Sequence, residues 1–69
     1  MPTYEAVVMP RPGAPWRLVG KPRLRLAEAI TDARSAGRRR RAYAVAVRQY
    51  SAPEAPLAYL DVAPFRWSR

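Results

Sequence analysis

The pattern of apolar and polar positions in the first part of the chain predicts a β-hairpin. The segment Tyr4–Met9 is rich in β-forming residues, and the six residues that follow it include three prolines and a glycine. Such a stretch is typical of a turn or short loop. Residues 16–20 then predict a second strand. We therefore expect a hairpin over residues 3–20.

Two more strand-like runs lie in the second half of the chain. Residues 43–50 alternate in polarity, with Val45 and Val47 on one face of the predicted strand. Residues 57–63 predict a last strand after a proline-containing loop. We therefore expect a second hairpin over residues 41–63, followed by a tail over residues 64–69.

The helix candidate of the chain is the segment 22–36. Leu26 and Ile30 fall on one apolar stripe at about 100° per residue. Because Leu24 points away from that stripe, we expect the helix proper to start near Leu26. Gly37 suits the left-handed position that often follows a helix end.

The expected fold class is α+β, with the order ββαββ in one small basic domain over residues 1–69. One helix packs on one face of a small, mostly antiparallel four-stranded sheet and leaves the other face open. To the covered face we assign Tyr4, Ala6, Val8, Trp16, Leu18, Leu26, Ile30, Ala33, Val45, Val47, Leu60 and Val62. To the open face we assign Glu5, Val7, Arg17, Val19, Ala44, Ala46, Arg48, Leu57 and Tyr59. This partly apolar, partly basic face, or an edge strand, is a candidate surface for a homodimer.

The composition adds a strong positive charge to this picture. The 69 residues include 13 Lys+Arg against 5 Asp+Glu, for a formal net charge of +8. Such an excess favours anionic partners, nucleic acid first and a membrane surface second. A GC-rich genome favours arginine over lysine, but it does not remove acidic residues. The charge imbalance is therefore expected to have a function.

The residue types present give little support to catalysis. The chain has no histidine and no cysteine, so the commonest general base and the best nucleophile are absent. Glu28 and Asp32 lie one helical turn apart, but a hard-metal site usually needs more oxygen ligands. We expect no enzyme, no cofactor and no metal. No apolar run is long enough to span a bilayer, and we expect a cytoplasmic location.

Four consecutive arginines, Arg38, Arg39, Arg40 and Arg41, stand between the predicted helix end and the third strand. Guanidinium groups bind phosphate oxygens in pairs and stay charged, so the block is a candidate anion clamp. The alternative is a solvated cationic turn that complements the helix dipole. If strand pairing reaches back into the block, Arg38 and Arg40 should join Arg48 on the open face. They should then contribute more to binding than Arg39 and Arg41.

Other cations and several aromatic residues complete the candidate site. The supporting cations are Arg17, Lys21, Arg23, Arg25, Arg34 and Arg48. The candidates for base stacking or for an interface are Tyr50, Tyr59 and Trp67.

The leading hypothesis is a small, non-enzymatic basic module that binds nucleic acid mainly through arginine–phosphate contacts. Such contacts imply weak sequence preference and steep salt dependence, and they leave DNA and RNA undistinguished. The alternative is a protein-binding adaptor or inhibitor, of the phage or mobile-element type, that docks on an acidic protein surface. Arginine and tyrosine are enriched at protein interfaces as well.

Overall fold

The computed structural model describes residues 2–52 and 54–65 and contains a four-stranded antiparallel sheet with one helix. Across the sheet, the strands follow the order 17–23, 4–9, 44–49 and 59–62. The strands 4–9 and 44–49 are therefore central, and the other two form the edges. This confirms the predicted α+β class and the ββαββ order. The elements are β1 Tyr4–Met9, β2 Arg17–Arg23, α1 Leu26–Arg40, β3 Ala44–Gln49 and β4 Tyr59–Val62.

The two outer strands have the features expected of sheet edges. β2 contains Pro22, which cannot donate a ladder hydrogen bond and is tolerated only at an edge. Gly20 in the same strand has a φ of 73°, a left-handed value that glycine adopts without steric cost. The pairing between β1 and β2 is irregular at this point. β4 has only four residues. Short or interrupted edges discourage pairing with other chains.

Helix α1 begins at Leu26 as predicted, but it ends at Arg40, one turn later than predicted. Gly37 is buried inside the last turn, and the left-handed position is taken by Arg41, with φ 51° and ψ 47°. The Ala42 N–H donates to the Gly37 carbonyl at 3.0 Å, and the Arg41 N–H donates to the Arg38 carbonyl at 3.4 Å. These two bonds form a Schellman motif. Arginine is a good helix former, which explains why the helix continues past Gly37.

The core between helix and sheet is built from small side chains. Its largest fully buried side chains are the valines Val8, Val45 and Val47. The helix contributes alanines, so its backbone packs close to the sheet. Small changes of volume are therefore expected to be felt strongly in this core. The buried core cluster consists of Ala6, Val8, Val19, Ala29, Ala33, Ala36, Ala42, Val45 and Val47.

The predicted faces of β1 and β3 are correct, but that of β2 is inverted. Val19 pairs with Ala6 and therefore lies under the helix, whereas Leu18 pairs with Val7 on the open face. Trp16 is half-buried and is not part of the core cluster. Neighbouring positions of β2 are both apolar, so only the register with β1 decides which face each one takes.

The predicted face of β4 is inverted too, although its residues alternate, because register with β3 places Tyr59 and Asp61 on the helix side. Tyr59 pairs with Val47 and lies on the helix side, while Leu60 pairs with Ala46 on the open face. Val62 follows Leu60 on that face. The open face is consequently more apolar than predicted.

Candidate nucleic-acid interface

Helix α1 is acidic in its first half and basic in its second. Glu28 and Asp32 lie in the first two turns, and Arg38–Arg40 form the last turn. The two ends of a 15-residue helix are about 22 Å apart at 1.5 Å per residue. Cations at the C-terminal end also complement the negative end of the helix dipole. The sequence of this helix thus places positive charge at one end of the fold.

The arginine block is helical, which changes how its side chains are distributed. β3 begins at Ala44, so strand pairing does not reach back into the block, and the predicted alternation between faces does not apply. Consecutive helical residues point about 100° apart. Arg39 lies toward β2, with its Nη1 donating to Ser35 Oγ at 3.3 Å. Arg38 lies on the opposite flank, beside Phe65.

The loop between β1 and β2 lies at the same end of the sheet as the helix C-terminus. The Tyr43 N–H donates to the Met9 carbonyl at 2.8 Å, which joins the chain after the helix to the end of β1. Arg11 in this loop and Arg17 at the start of β2 are both exposed. Arg17 pairs with Val8, so it lies on the helix side and not on the open face as predicted.

We call this set the arginine end; its members are Arg11, Arg17, Arg38, Arg39, Arg40 and Arg41. Arg11 was missed by the sequence prediction, since a single cation among prolines is unremarkable. The predicted element order nevertheless implied that Arg11 lies near the arginine block. In an antiparallel ββαβ arrangement, the first loop and the helix C-terminus fall at the same end of the sheet.

A groove of about 530 Å³ runs between β2 and α1, beside the arginine end. Gly20 has no side chain to fill it, and Ala36 on the helix is small. The cations Lys21, Arg23 and Arg39 line the groove together with Ser35, and so does Asp32, the carboxylate that pairs with Arg23. The groove extends the cationic surface along β2.

Two of the predicted cations have carboxylate partners. Arg23 Nε donates to Asp32 Oδ2 at 2.8 Å, and this hydrogen bond is the main cause that raises the pKa of Arg23. Arg48 Nε donates to Glu5 Oε2 at 3.1 Å, and Glu5 is buried. Because their charges are balanced locally, we leave Arg23 and Arg48 out of the proposed contact surface.

Of the two remaining predicted cations, Arg25 lies away from the arginine end, whereas Arg34 stands one helical turn before Arg38 and lines the same pocket. Arg25 precedes the helix at its N-terminus, and its side chain makes no capping hydrogen bond. Arg34 lies on the flank of the helix near the Tyr59 phenol. Burial raises the pKa of that phenol, and Asp61 adds to the effect, while Arg34 acts against it.

The two predicted stacking residues that the structure describes, Tyr50 and Tyr59, do not lie at the arginine end. Tyr59 lies on the helix side, not on the open face as predicted, and its hydroxyl donates to Asp61 Oδ2 at 3.5 Å. Tyr50 is exposed but follows β3 at the other end of the sheet. Trp67 lies outside the described residues.

Residues 2–52 and 54–65 contain no group of three or more histidine, cysteine, aspartate or glutamate side chains that could hold a metal ion. Within the same residues, the single helix is too short and too polar to cross a membrane.

Comparison of the chain with models of protein families, with curated proteins and with solved structures found no match.

Proposed function

We propose that this domain binds nucleic acid through phosphate contacts made by the arginine end. The observation that carries the proposal is the convergence of six exposed arginines from three separate segments at one end of the fold. Arginine forms bidentate bonds to phosphate oxygens and keeps its charge. Clustered arginines held by a helix end and a strand are less free to move than arginines on a flexible tail, so less entropy is lost on binding.

The positions of the acidic residues support the same surface. Asp32 and Glu28 lie against Arg23, and Glu5 pairs with Arg48. Asp61 accepts hydrogen bonds within its own strand. Glu5, Glu28 and Asp32 thus offset cations that lie outside the arginine end.

The backbone of Arg41 also supports a functional use of the block. A non-glycine residue with φ 51° is uncommon, and the left-handed conformation costs about 1–2 kcal/mol for an L-residue. Glycine would adopt this conformation at lower cost, so the arginine adds a positive charge at the expense of some stability. Backbone strain of this kind tends to occur at functional sites.

We infer the mode of binding from the distribution of charge along the helix. Glu28 and Asp32 on its first two turns would be repelled by phosphates, so the helix cannot lie along a nucleic-acid groove. Its C-terminal end approaches the backbone instead. We expect phosphate contacts to dominate, with weak sequence preference and strong salt dependence.

The test is a fluorescence-anisotropy titration with labelled duplex and single-stranded oligonucleotides of one length, over a series of salt concentrations. A double variant, Arg38→Ala with Arg40→Ala, removes two charges from the arginine end. Arg23→Ala with Arg25→Ala removes the same charge from the other end and serves as the matched control. The slope of log affinity against log salt should fall by about 0.9 per lost duplex contact in the first variant. In the control it should change much less.

Two results would contradict the proposal. One is the absence of salt-sensitive binding by the wild-type protein at low salt. The other is an equal loss in the two double variants, which would mean that only net charge matters. A polyglutamate chain of equal charge is the comparison ligand. If it binds as tightly as the oligonucleotides, the target is an acidic protein surface, as in the adaptor or inhibitor alternative.

A further inference from the structure

The groove between β2 and α1 lies where β2 bulges out of its pairing with β1. Between residues 19 and 23, β2 advances by four positions, whereas its partner β1 advances by only two, from Ala6 to Tyr4. Gly20 lies in this bulge with its φ of 73°. Bulges and strand glycines of this kind are common beside sites where a ligand approaches the backbone closely. The bulge thus marks the groove as a candidate binding site.

The groove has a covered floor and exposed walls. Val19 and Ala36 line it but are only 5 % and 2 % exposed, so they form its apolar floor. Lys21, Ser35 and Arg39 also line it and are exposed, so they form its walls. The free volume of about 530 Å³ lies between these walls. It falls within the range of small-ligand sites, about 300–1,000 Å³.

Two cations on the walls have no carboxylate partner within residues 2–52 and 54–65. Arg23 is paired, because its Nε lies 2.8 Å from Asp32 Oδ2 and its Nη1 lies 3.8 Å from Glu28 Oε1. Lys21 and Arg39 take part in no such pair among the described residues. The groove therefore presents two positive charges that the described carboxylates do not offset.

These two charges and the nearby hydroxyl suit a phosphate monoester. Such a group has a charge of about −1.5 to −2 at pH 7 and three strong acceptor oxygens. Lys21 offers an ammonium, and Arg39 offers a guanidinium. Arg39 Nη1 donates to Ser35 Oγ at 3.3 Å, so the guanidinium and the hydroxyl lie together on the helix side of the groove. A single charge, as in a carboxylate or a phosphodiester, would match only one of the two cations.

The ion pair between Arg23 and Asp32 limits what can enter. Arg23 is on β2 and Asp32 is on α1, so their 2.8 Å hydrogen bond bridges the groove. Arg39 lines the same groove and belongs to the arginine end. Residues 32 and 39 of the helix are about 10 Å apart along its axis at 1.5 Å per residue. A chain that enters from the arginine end therefore meets the ion pair within this distance, which favours a strand end over a continuous backbone.

We propose that the groove binds the phosphate monoester at the end of a nucleic-acid strand, whose next phosphates contact the arginine end. The nucleic acid as the source of this group rests on the proposed function. The phosphate site itself rests on Lys21, Ser35 and Arg39. Because a free phosphorylated small molecule has the same group, the experiment separates the two sources.

The first measurement is an NMR titration of the isotope-labelled protein with inorganic phosphate, without nucleic acid. Sodium chloride at equal ionic strength is the reference. Lys21→Gln removes a charge from the groove, and Arg25→Gln is the matched control, since Arg25 precedes the helix and lies outside the groove. Phosphate should shift the amide signals of Gly20 and Ser35 in wild type and in Arg25→Gln, and much less in Lys21→Gln. Equal shifts in the two variants, or no shift beyond that with chloride, would overturn the proposal.

The second measurement compares single-stranded oligonucleotides with and without a phosphate at one end, by fluorescence anisotropy with the label at the other end. The 5′ and 3′ ends are tested separately. Wild type and Arg25→Gln should bind one phosphorylated form about fivefold more tightly than the unphosphorylated form, and Lys21→Gln should lose this preference.

The outcomes separate this inference from the proposed function. An end preference that Lys21→Gln retains overturns the groove as its site. A groove that responds to inorganic phosphate without any end preference overturns the strand end as the ligand and indicates a free phosphorylated small molecule. If no oligonucleotide binds at all, the proposed function fails, while the phosphate titration still decides whether the groove is a phosphate site.

Discussion

Replacing Arg48 with methionine removes the guanidinium that faces Glu5 while keeping most of the side-chain stem. The Glu5 side chain is 8 % exposed, and its Oε2 accepts from Arg48 Nε at 3.1 Å. The substitution leaves a carboxylate in a site that water barely reaches. Breaking a fully buried ion pair costs about 3–5 kcal/mol. Because Arg48 is 27 % exposed and water can enter its place, we expect a loss of about 2 kcal/mol in the free energy of unfolding.

The pair between Arg23 and Asp32 is the internal comparison. It has a shorter distance, 2.8 Å, but its side chains are 45 % and 24 % exposed. Exposed ion pairs contribute about 0.2–1 kcal/mol because water screens the charges and the side chains lose freedom. Arg23→Met should therefore cost less than 1 kcal/mol, although its hydrogen bond is the shorter one.

The assay is reversible denaturation in urea and by heat, at low micromolar protein. For a domain of this size a loss of 1 kcal/mol lowers Tm by about 4–8 °C, so Arg48→Met should lower it by about 8–16 °C. The double variant Glu5→Gln with Arg48→Met should recover part of the loss, since no charge is left buried. If Arg48→Met costs no more than Arg23→Met, burial does not govern these ion pairs and the reasoning is wrong.

Three more predictions concern the helix end, a tyrosine and the core. Arg41→Gly relieves the strain of the left-handed backbone, so the free energy of unfolding should rise by about 0.5–1 kcal/mol in a denaturation assay. Fluorescence anisotropy should show weaker nucleic-acid binding by the same variant. A lower free energy of unfolding would contradict the backbone argument. Folding raises the pKa of the Tyr59 phenol. The phenol therefore contributes to the free energy of unfolding fully below its unfolded pKa of about 10, and this contribution is lost as the pH rises through the folded pKa. Alkaline denaturation should therefore be steeper for wild type than for Tyr59→Phe, and equal slopes would refute this. Ala33 is fully buried, so Ala33→Leu should lower the free energy of unfolding by about 1–3 kcal/mol. Ala27 is exposed, so Ala27→Leu should leave it nearly unchanged in the same denaturation assay. Equal losses would contradict close packing of the helix.

Several elements could be predicted because only one arrangement suited their residues. In β1 and β3, the charged residues Glu5 and Arg48 lie on one parity, so the more apolar parity was expected to face the helix. The start of the helix near Leu26 followed from the apolar stripe. The end of the helix was predicted wrongly because Gly37 resembles a terminal glycine, whereas it packs among small helix residues.

The candidate site was only partly predictable for a similar reason. The charge excess and the arginine block are properties of the chain itself. Which arginines act together depends on where separate segments meet, and Arg11 joins the block only through the antiparallel topology. Arg48 was assigned to binding because its partner Glu5 lies 43 residues away in the chain.

By itself, the sequence determined the element order, the fold class and the excess of positive charge, since these follow from local periodicity and composition. The tertiary structure alone decided the faces of β2 and β4. In β2 both parities carry apolar residues, so the alternation contains no preference and register with β1 selects the face. In β4 the alternation favours Leu60 and Val62 toward the helix, and register with β3 overrides it. That selection moved Leu18, Leu60 and Val62 to the open face and left the arginines at one end.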